Sequence, residues 1–394
     1  MGDPEGLVVN SISAHYSRFN VTNRLLFTGH SHQAWPNVAE EGHAEAFHDA
    51  AELVDEKWTR AFAKADEVRK GFARLLDDDE NGEYSLAGST HDLLIKFISA
   101  LPLNQRPKLI STTGEFHSLK RQLDRLEESG IEVTRLAPEP IETLSERLAK
   151  ANDDRTAAVF VSKVMFESSR IVPNLSLIES ACQKHGAKFL IDAYHALNVV
   201  DVSLQRENLT QVYVVGGGYK YCQLGEGNCF LRYPSDSNLR PLWTGWFADF
   251  ESLENSGSSG IINYGSHGQR FAGATYDPVS HYRASRVFRF FEEMKLKPAF
   301  LREVSQRQIK LLAERFDALD LNPKLIRREK FYLETLGGFL SLVTPQAKHF
   351  CEVLRKHGVL TDYRGEYLRF GPAPYLSDEQ LINAIEVLGD VANS

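Results

Sequence analysis

The chain has 394 residues, 45 Lys and Arg against 53 Asp and Glu, a formal charge of −8, and four cysteines. An apolar share of 42% with 25% charged residues excludes disordered, collagen-like and small disulfide-scaffold classes. The acidic balance argues against nucleic acid as the main partner, since phosphate binding normally shows as a basic surplus. At roughly 100–200 residues per domain, the length suggests two or three domains, or one large domain with appendages.

Residues 1–35 read as an arm; its start, MGDPEGLVVNSIS, has no basic leader with an apolar run, so no secretory signal is expected. Gly6 stands where N-myristoylation needs Ser or Thr. From Pro36, residues Ala46, Phe47, Ala50, Leu53, Val54, Trp58, Phe62 and Ala65 recur at spacings of three and four. This predicts one long amphipathic helix to about Leu76, ending in the acidic DDDENGE turn. Strands EYSLAG, KLISTT, IEVTRL, AAVFVS and AKFLID then alternate with helices near 90–100, 118–128, 141–151 and 174–185. VYVVGGG and NCFLRY add two apolar strands. Strands spaced by helices of this length predict βαβ units and a largely parallel, doubly covered sheet.

The Ser/Gly-rich SLENSGSSG reads as an exposed loop, and from about Asp277 the pattern becomes mostly helical, interrupted by GGFLSLV and YLRFG. The expected organisation is an arm at 1–35, a large α/β domain at 36–278 and a smaller α+β domain at 279–394. No stretch approaches the ~18 apolar residues of a membrane span. Cys182, Cys222, Cys229 and Cys351 form no CxxC pair, which makes a reducing cytoplasm the expected location. No metal site is expected: His43 and His48 are five apart, and His30 and His32 lack nearby acidic ligands, so all four read as solvated histidines.

Four places could carry chemistry. In VYVVGGGYKYCQLGEGN an apolar strand runs into three glycines and then Tyr219, Lys220 and Tyr221. Ligands gather at the carboxyl ends of strands in open α/β sheets, and a partly desolvated lysine there is the usual carrier of a Schiff base. Asp192 ends the preceding strand, with His195 three positions on; such a carboxylate can pair with a pyridinium nitrogen. Ser89 and Thr90 sit between a strand and a helix, where N-terminal amides and hydroxyls make a phosphate cup. Arg369, closing a short strand in YLRFGPAPY, offers a bidentate clamp for a carboxylate. Taken singly, these features also fit a Gly-rich turn, a helix cap, a core histidine and a surface arginine.

Asp192-x-x-His195, Tyr219-Lys220-Tyr221, GWF at 245–247, DYR at 362–364 and RFGPAP at 369–374 resemble kynureninase, a fold-type-I pyridoxal-phosphate enzyme of aminotransferase class V. TGHSHQAWP at 28–36 is similar to the same family's N-terminal Gly-Asn-Ser segment. The resemblance implies a mainly parallel seven-stranded-type sheet, a small α+β C-terminal domain and a homodimer with shared active sites. It implies Lys220, Tyr219 and Asp192 as catalytic residues. Ser89, Thr90 and Tyr219 would hold the phosphate, Phe116 would stack on the pyridoxal ring, and Ser162 and His195 would line it. Trp246 would approach the phosphate or substrate, and Thr275 would reach the neighbouring subunit's phosphate. Arg369, Ser31 and His30 would bind substrate.

The implied reaction is hydrolytic Cβ–Cγ cleavage of a β-acyl amino acid, kynurenine or an analogue, to alanine and a carboxylic acid. Another class V activity on an amino acid (transaminase, epimerase or C–S lyase) is the alternative. Cysteine desulfurase is disfavoured, since GVLTDYRGEY ahead of Arg369 holds no cysteine to receive sulfur.

Overall fold

The computed structural model describes residues 12–78, 82–255 and 260–393. The leader and acylation expectations at 1–11, part of the acidic turn at 79–81, residues 256–259 of the Ser/Gly-rich loop and residue 394 lie outside the described residues.

Seven strands form the large sheet: β1 (Gly82–Ala87), β2 (Lys108–Thr112), β3 (Glu132–Leu136), β4 (Thr156–Ser162), β5 (Lys188–Asp192), β6 (Tyr213–Gly217) and β7 (Cys229–Pro234). Their order is β1-β7-β6-β5-β4-β2-β3. β7 runs antiparallel to both neighbours, and the other contiguous pairs are parallel. The expected parallel sheet therefore carries one reversed strand. Only the short GYKYCQLGEGN connection (218–228) separates β6 from β7, too little chain for a parallel crossover.

β4 is buried along its whole length, as a strand covered on both faces must be. Phe160 packs with Leu93 and Phe97 of helix α3 (Thr90–Ser99) on one face, whereas Val159 and Val161 join Phe72, Leu148 and Ile178 on the other. This is the period-two alternation of a strand expressed as two cores.

The long helix expected from Pro36 is instead two, α1 (Val38–Leu53) and α2 (Trp58–Leu75). The chain breaks at Val54, which takes φ 51°. No Gly or Pro marks the break, and the three-four spacing continues on its far side, so periodicity alone does not reveal it. Helix α7 (Val279–Glu293) lies against α1 and α2. Gly42 permits the approach: a Cβ there would meet the Tyr282 carbonyl oxygen at 2.7 Å.

The second sheet has order β10-β11-β9-β8, all antiparallel, from β8 (Arg327–Arg328), β9 (Leu340–Val343), β10 (Asp362–Arg364) and β11 (Tyr367–Phe370). Helices α8 (Pro298–Ala318), α9 (Ala347–Lys356) and α10 (Asp378–Asn393) accompany it. The arm joins this part of the molecule: Leu25–Leu26 pairs in parallel with Val359–Leu360, and Thr28 bridges to Gly371. That pairing delivers His30, Ser31 and His32 to the place where the two sheets meet.

Candidate active site

The parallel strands β4, β5 and β6 end together, with Ser162 paired to Asp192 and Asp192 to Val215 in register. A cavity of about 200 Å³ opens beyond these ends. Asp192, His195, Tyr219, Lys220, Ser162 and Phe116 line it, together with Ser89 and Thr90 at the start of α3. Residues 130 positions apart in sequence thus converge because each closes a strand or opens a helix at one edge of the sheet.

Asp192 is pinned by its own turn: its Oδ1 accepts the Tyr194 backbone N–H at 2.8 Å. Burial raises its carboxyl above the ordinary value, against the Tyr194 amide and the Lys220 charge. Tyr194 then folds back over β6, where Gly217 makes room; a Cβ at 217 would meet the ring carbon Cζ at 2.6 Å. Lys220 Nζ lies 4.6 Å from the centroid of that ring, 5.4 Å from Phe116 and 5.9 Å from Tyr219. This aromatic enclosure leaves the side chain buried. Burial pulls the Lys220 amine from 10.5 to about 7, with Asp192 opposing and Arg369 assisting the fall.

Nζ sits 2.7 Å from His195 Nε2. Burial, followed by the Lys220 and Arg369 charges, holds His195 well below its ordinary value, so the imidazole is neutral at physiological pH. Its Nδ1 is buried with no hydrogen-bond partner among the described residues.

Ser89 caps α3, its Oγ accepting the Asp92 N–H at 3.2 Å. Space is open in front of this helix start, since a Cβ on Gly88 would meet nothing within 4 Å. A helix N-terminus of this kind attracts anions through its free amides and dipole.

The expected substrate-binding residues have different surroundings. Arg369 is buried and bound: Nε and Nη2 donate to the two Asp362 oxygens at 2.8 and 2.6 Å, and Nη1 donates to the Phe166 carbonyl. His30, read from the sequence as solvated, is fully buried; its Nε2 is 2.7 Å from Asp362 Oδ1. Burial and the Arg369 charge lower His30 to about 4, so a neutral ring donates Nε2–H to the carboxylate. Ser31 Oγ lies 3.1 Å from Nδ1 of its neighbour His32. Trp246 and Thr275 do not line the cavity. Trp246 is 46% exposed and packs on Phe247, and Thr275 is exposed in a loop.

Two residues escaped the sequence reading. Glu115 is buried beside Asp192, accepting from Thr112 Oγ1 at 2.7 Å and from Ser162 Oγ at 2.6 Å. Burial lifts its carboxyl to about 7 despite those donors. Its sequence signal was only its position before Phe116. His32 stacks on Tyr219, centroids 4.7 Å apart and planes at 17°; nothing in the linear sequence pairs these two.

Residues 301–388 match the family model of the kynureninase C-terminal domain. Over 183 residues the chain is 26% identical to the cysteine desulfurase IscS of Rickettsia felis, covering 46% of this chain and 44% of that protein. The match thus spans less than half the length of that relative. The cystine C–S lyase C-DES, solved with its reaction product cysteine persulfide, superposes with TM-score 0.79 and 14% identity over 94% of this chain and 98% of the other. The apo cysteine desulfurase of Thermococcus onnurineus NA1 gives 0.77 and 16% over the full length of both. At such identities the structural likeness is one of fold. The chain thus has the fold of the fold-type-I pyridoxal-phosphate enzymes, and its residues 301–388 are similar to the kynureninase C-terminal domain.

Proposed function

We propose that this protein holds pyridoxal phosphate at the strand-end cavity and acts on an L-α-amino acid, releasing the group carried on its β-carbon. The observation that carries the reading is Lys220, a buried amine brought down to about 7 on the same cavity as Asp192. The residues fit the group: open space and free amides at the start of α3 suit the phosphate, the Phe116 ring a flat heterocycle, and Asp192 a protonated ring nitrogen. His195 Nδ1, without a hydrogen-bond partner among the described residues, adds a buried polar atom that a ligand could meet. When bound, the cofactor supplies a sink for the electron pair left as the α-proton departs.

Lys220 Nζ is the base that takes this proton. With its amine near 7, a substantial share is unprotonated at physiological pH, which suits general-base work. His195 Nε2 steadies Nζ by hydrogen bonding. The rings of Tyr194, Phe116 and Tyr219 exclude water. Glu115 takes up a proton more readily than an ordinary glutamate, which limits its repulsion of Asp192.

C–S cleavage is the first reading, supported by the activities named for the similar structures. A protein-bound sulfur relay is not part of it. All four cysteines are buried, burial pushes Cys182 and Cys229 up to about 12, and Cys222 and Cys351 are also raised. Such thiols are poor nucleophiles. Kynurenine-type hydrolysis is the second reading, favoured by the domain match at 301–388. A homodimer completes the proposal, with Thr275 and Trp246 serving the neighbouring subunit. Residues 274 and 276, which flank Thr275, line a groove of about 1300 Å³ that shares Gly88, Glu226 and Gly227 with the cavity.

The test is incubation of the yellow holoprotein with L-cystine and L-cysteine, and separately with kynurenine and 3-hydroxykynurenine. Pyruvate with persulfide or sulfide supports the first reading; alanine with anthranilate or its hydroxylated form supports the second. A protein with no visible cofactor band, or a band unaffected by Lys220→Ala, would overturn both.

A further inference from the structure

The turn that carries Lys220 leaves β6 at Gly217 and returns as β7 at Cys229. Two backbone bonds close it: Leu224 N–H donates to the Gly218 carbonyl at 2.9 Å, and Gln223 N–H to the Lys220 carbonyl at 3.0 Å. Gln223 makes this closure at φ 59°, a left-handed conformation that a residue with a side chain seldom adopts. Such a conformation persists where the surrounding structure holds it.

The Gln223 side chain is that hold. It is buried, and both ends of its amide are spent on the arm: Oε1 accepts from the Tyr16 hydroxyl, and Nε2 donates to Gln33 Oε1 at 2.9 Å. Gln33 grips the same turn a second time, its N–H on the Tyr219 carbonyl at 3.3 Å. Tyr16 is fully buried against Tyr375, their ring centroids 4.8 Å apart. The arm is fixed in turn to the second sheet by the Leu25–Leu26 pairing and by Gly29 N–H on the Gly371 carbonyl at 2.9 Å. A continuous set of contacts therefore runs from the second sheet, through the arm, to the backbone of Lys220.

We propose that Gln223 is a positioning residue for Lys220: by tying the turn to Tyr16 and Gln33 it fixes the backbone from which the lysine reaches into the cavity. The proposal rests on the functional reading above. Gln223→Met keeps the side chain's length but orphans the Tyr16 hydroxyl and the Gln33 carbonyl in a buried place. Nζ then loses its fixed placement beside His195.

The test titrates the cofactor-free protein with pyridoxal phosphate and with pyridoxine phosphate, followed by calorimetry. The two share ring and phosphate, but only the aldehyde of the first can condense with the Lys220 amine, with loss of one water. Their affinity ratio thus reads the placement of Lys220, whereas general damage to the site weakens both. The wild type is expected to favour the aldehyde at least ~10-fold. Gln223→Met should cut that preference by about 5- to 10-fold, the scale of one buried hydrogen bond, and leave pyridoxine phosphate within about twofold. Tyr16→Phe, which keeps the Gln33 bond, should cut it by about 2- to 5-fold, and it decides alone if the first variant does not fold. Equal weakening of both ligands, or a preference retained in full by both variants, overturns the proposal alone. A wild type that shows no preference for the aldehyde removes the functional reading and the proposal with it.

Discussion

Lys220 Nζ and His195 Nε2 lie 2.7 Å apart in a site where burial disfavours the charged form of both. The amine falls from 10.5 to about 7, so between these values the unfolded chain binds a proton that the folded chain does not. Stability therefore rises with pH across that window, and the cost of burying the ammonium is greatest at and below pH 7. Lys220→Met should stabilise the cofactor-free protein by a few kcal/mol at pH 7, with the gain shrinking towards pH 10. Urea denaturation at both pH values reads this. A gain independent of pH would show that the lysine is not held neutral.

Glu115 carries the opposite chemistry with a related sign. Its carboxyl is raised from 4.5 to about 7, so the folded chain binds the extra proton and stability falls as pH rises through that window. Glu115→Gln keeps the side chain's shape and removes the ionisation. The variant should melt at a higher temperature than the wild type at pH 8 and close to it at pH 4.5. A thermal scan across pH with parallel curves would count against it.

Ser89 serves α3 whether or not an anion is present. Ser89→Ala should cost about 1 kcal/mol as a lost cap, whereas Ser89→Gly should cost only a few tenths. Both remove the hydroxyl, so both should weaken pyridoxal-phosphate binding severalfold. Cofactor titration beside a stability measurement separates the two roles. Tight binding by the glycine variant would remove Ser89 from the phosphate cup.

Asp362 is the carboxylate most dependent on its neighbours. Burial alone would raise it, but the hydrogen bond from His30 and the charge of Arg369 hold it well below the usual range. The stability it contributes is complete above its ordinary value of 3.8 and is lost as pH falls from there towards the folded value. Asp362→Asn leaves Arg369 buried without a counter-charge and should cost about 3–5 kcal/mol in chemical denaturation at pH 7. The paired change Asp362→Leu with Arg369→Met should recover most of that. A double variant no more stable than Asp362→Asn would place the loss elsewhere.

The legible part of this protein is local. Apolar runs ending in Asp192 and in Gly217 declared two parallel strands, and Ser89 before Thr90 declared a helix start; the chemistry at these ends was readable because strand ends and helix starts are where open α/β sheets place ligands. The break at Val54 was hidden because a spacing of three and four survives on both sides of it. Glu115 was hidden because a single carboxylate has no periodicity. Only the stacking of β2 beside β4 sets it against Ser162 and Asp192.

The composition alone excluded disorder and argued against nucleic acid as the main partner, and the order of strands and helices pointed to a mostly parallel, covered sheet with Lys220 and Asp192 at one edge. What Arg369 holds was decided by tertiary structure. The arm pairing with Val359–Leu360 brings His30 to Asp362, and the register of β10 with β11 closes Asp362 onto Arg369. Charge pairing in a dry site depends on which side chains meet through space, and residues 332 positions apart meet there only because the chain has folded.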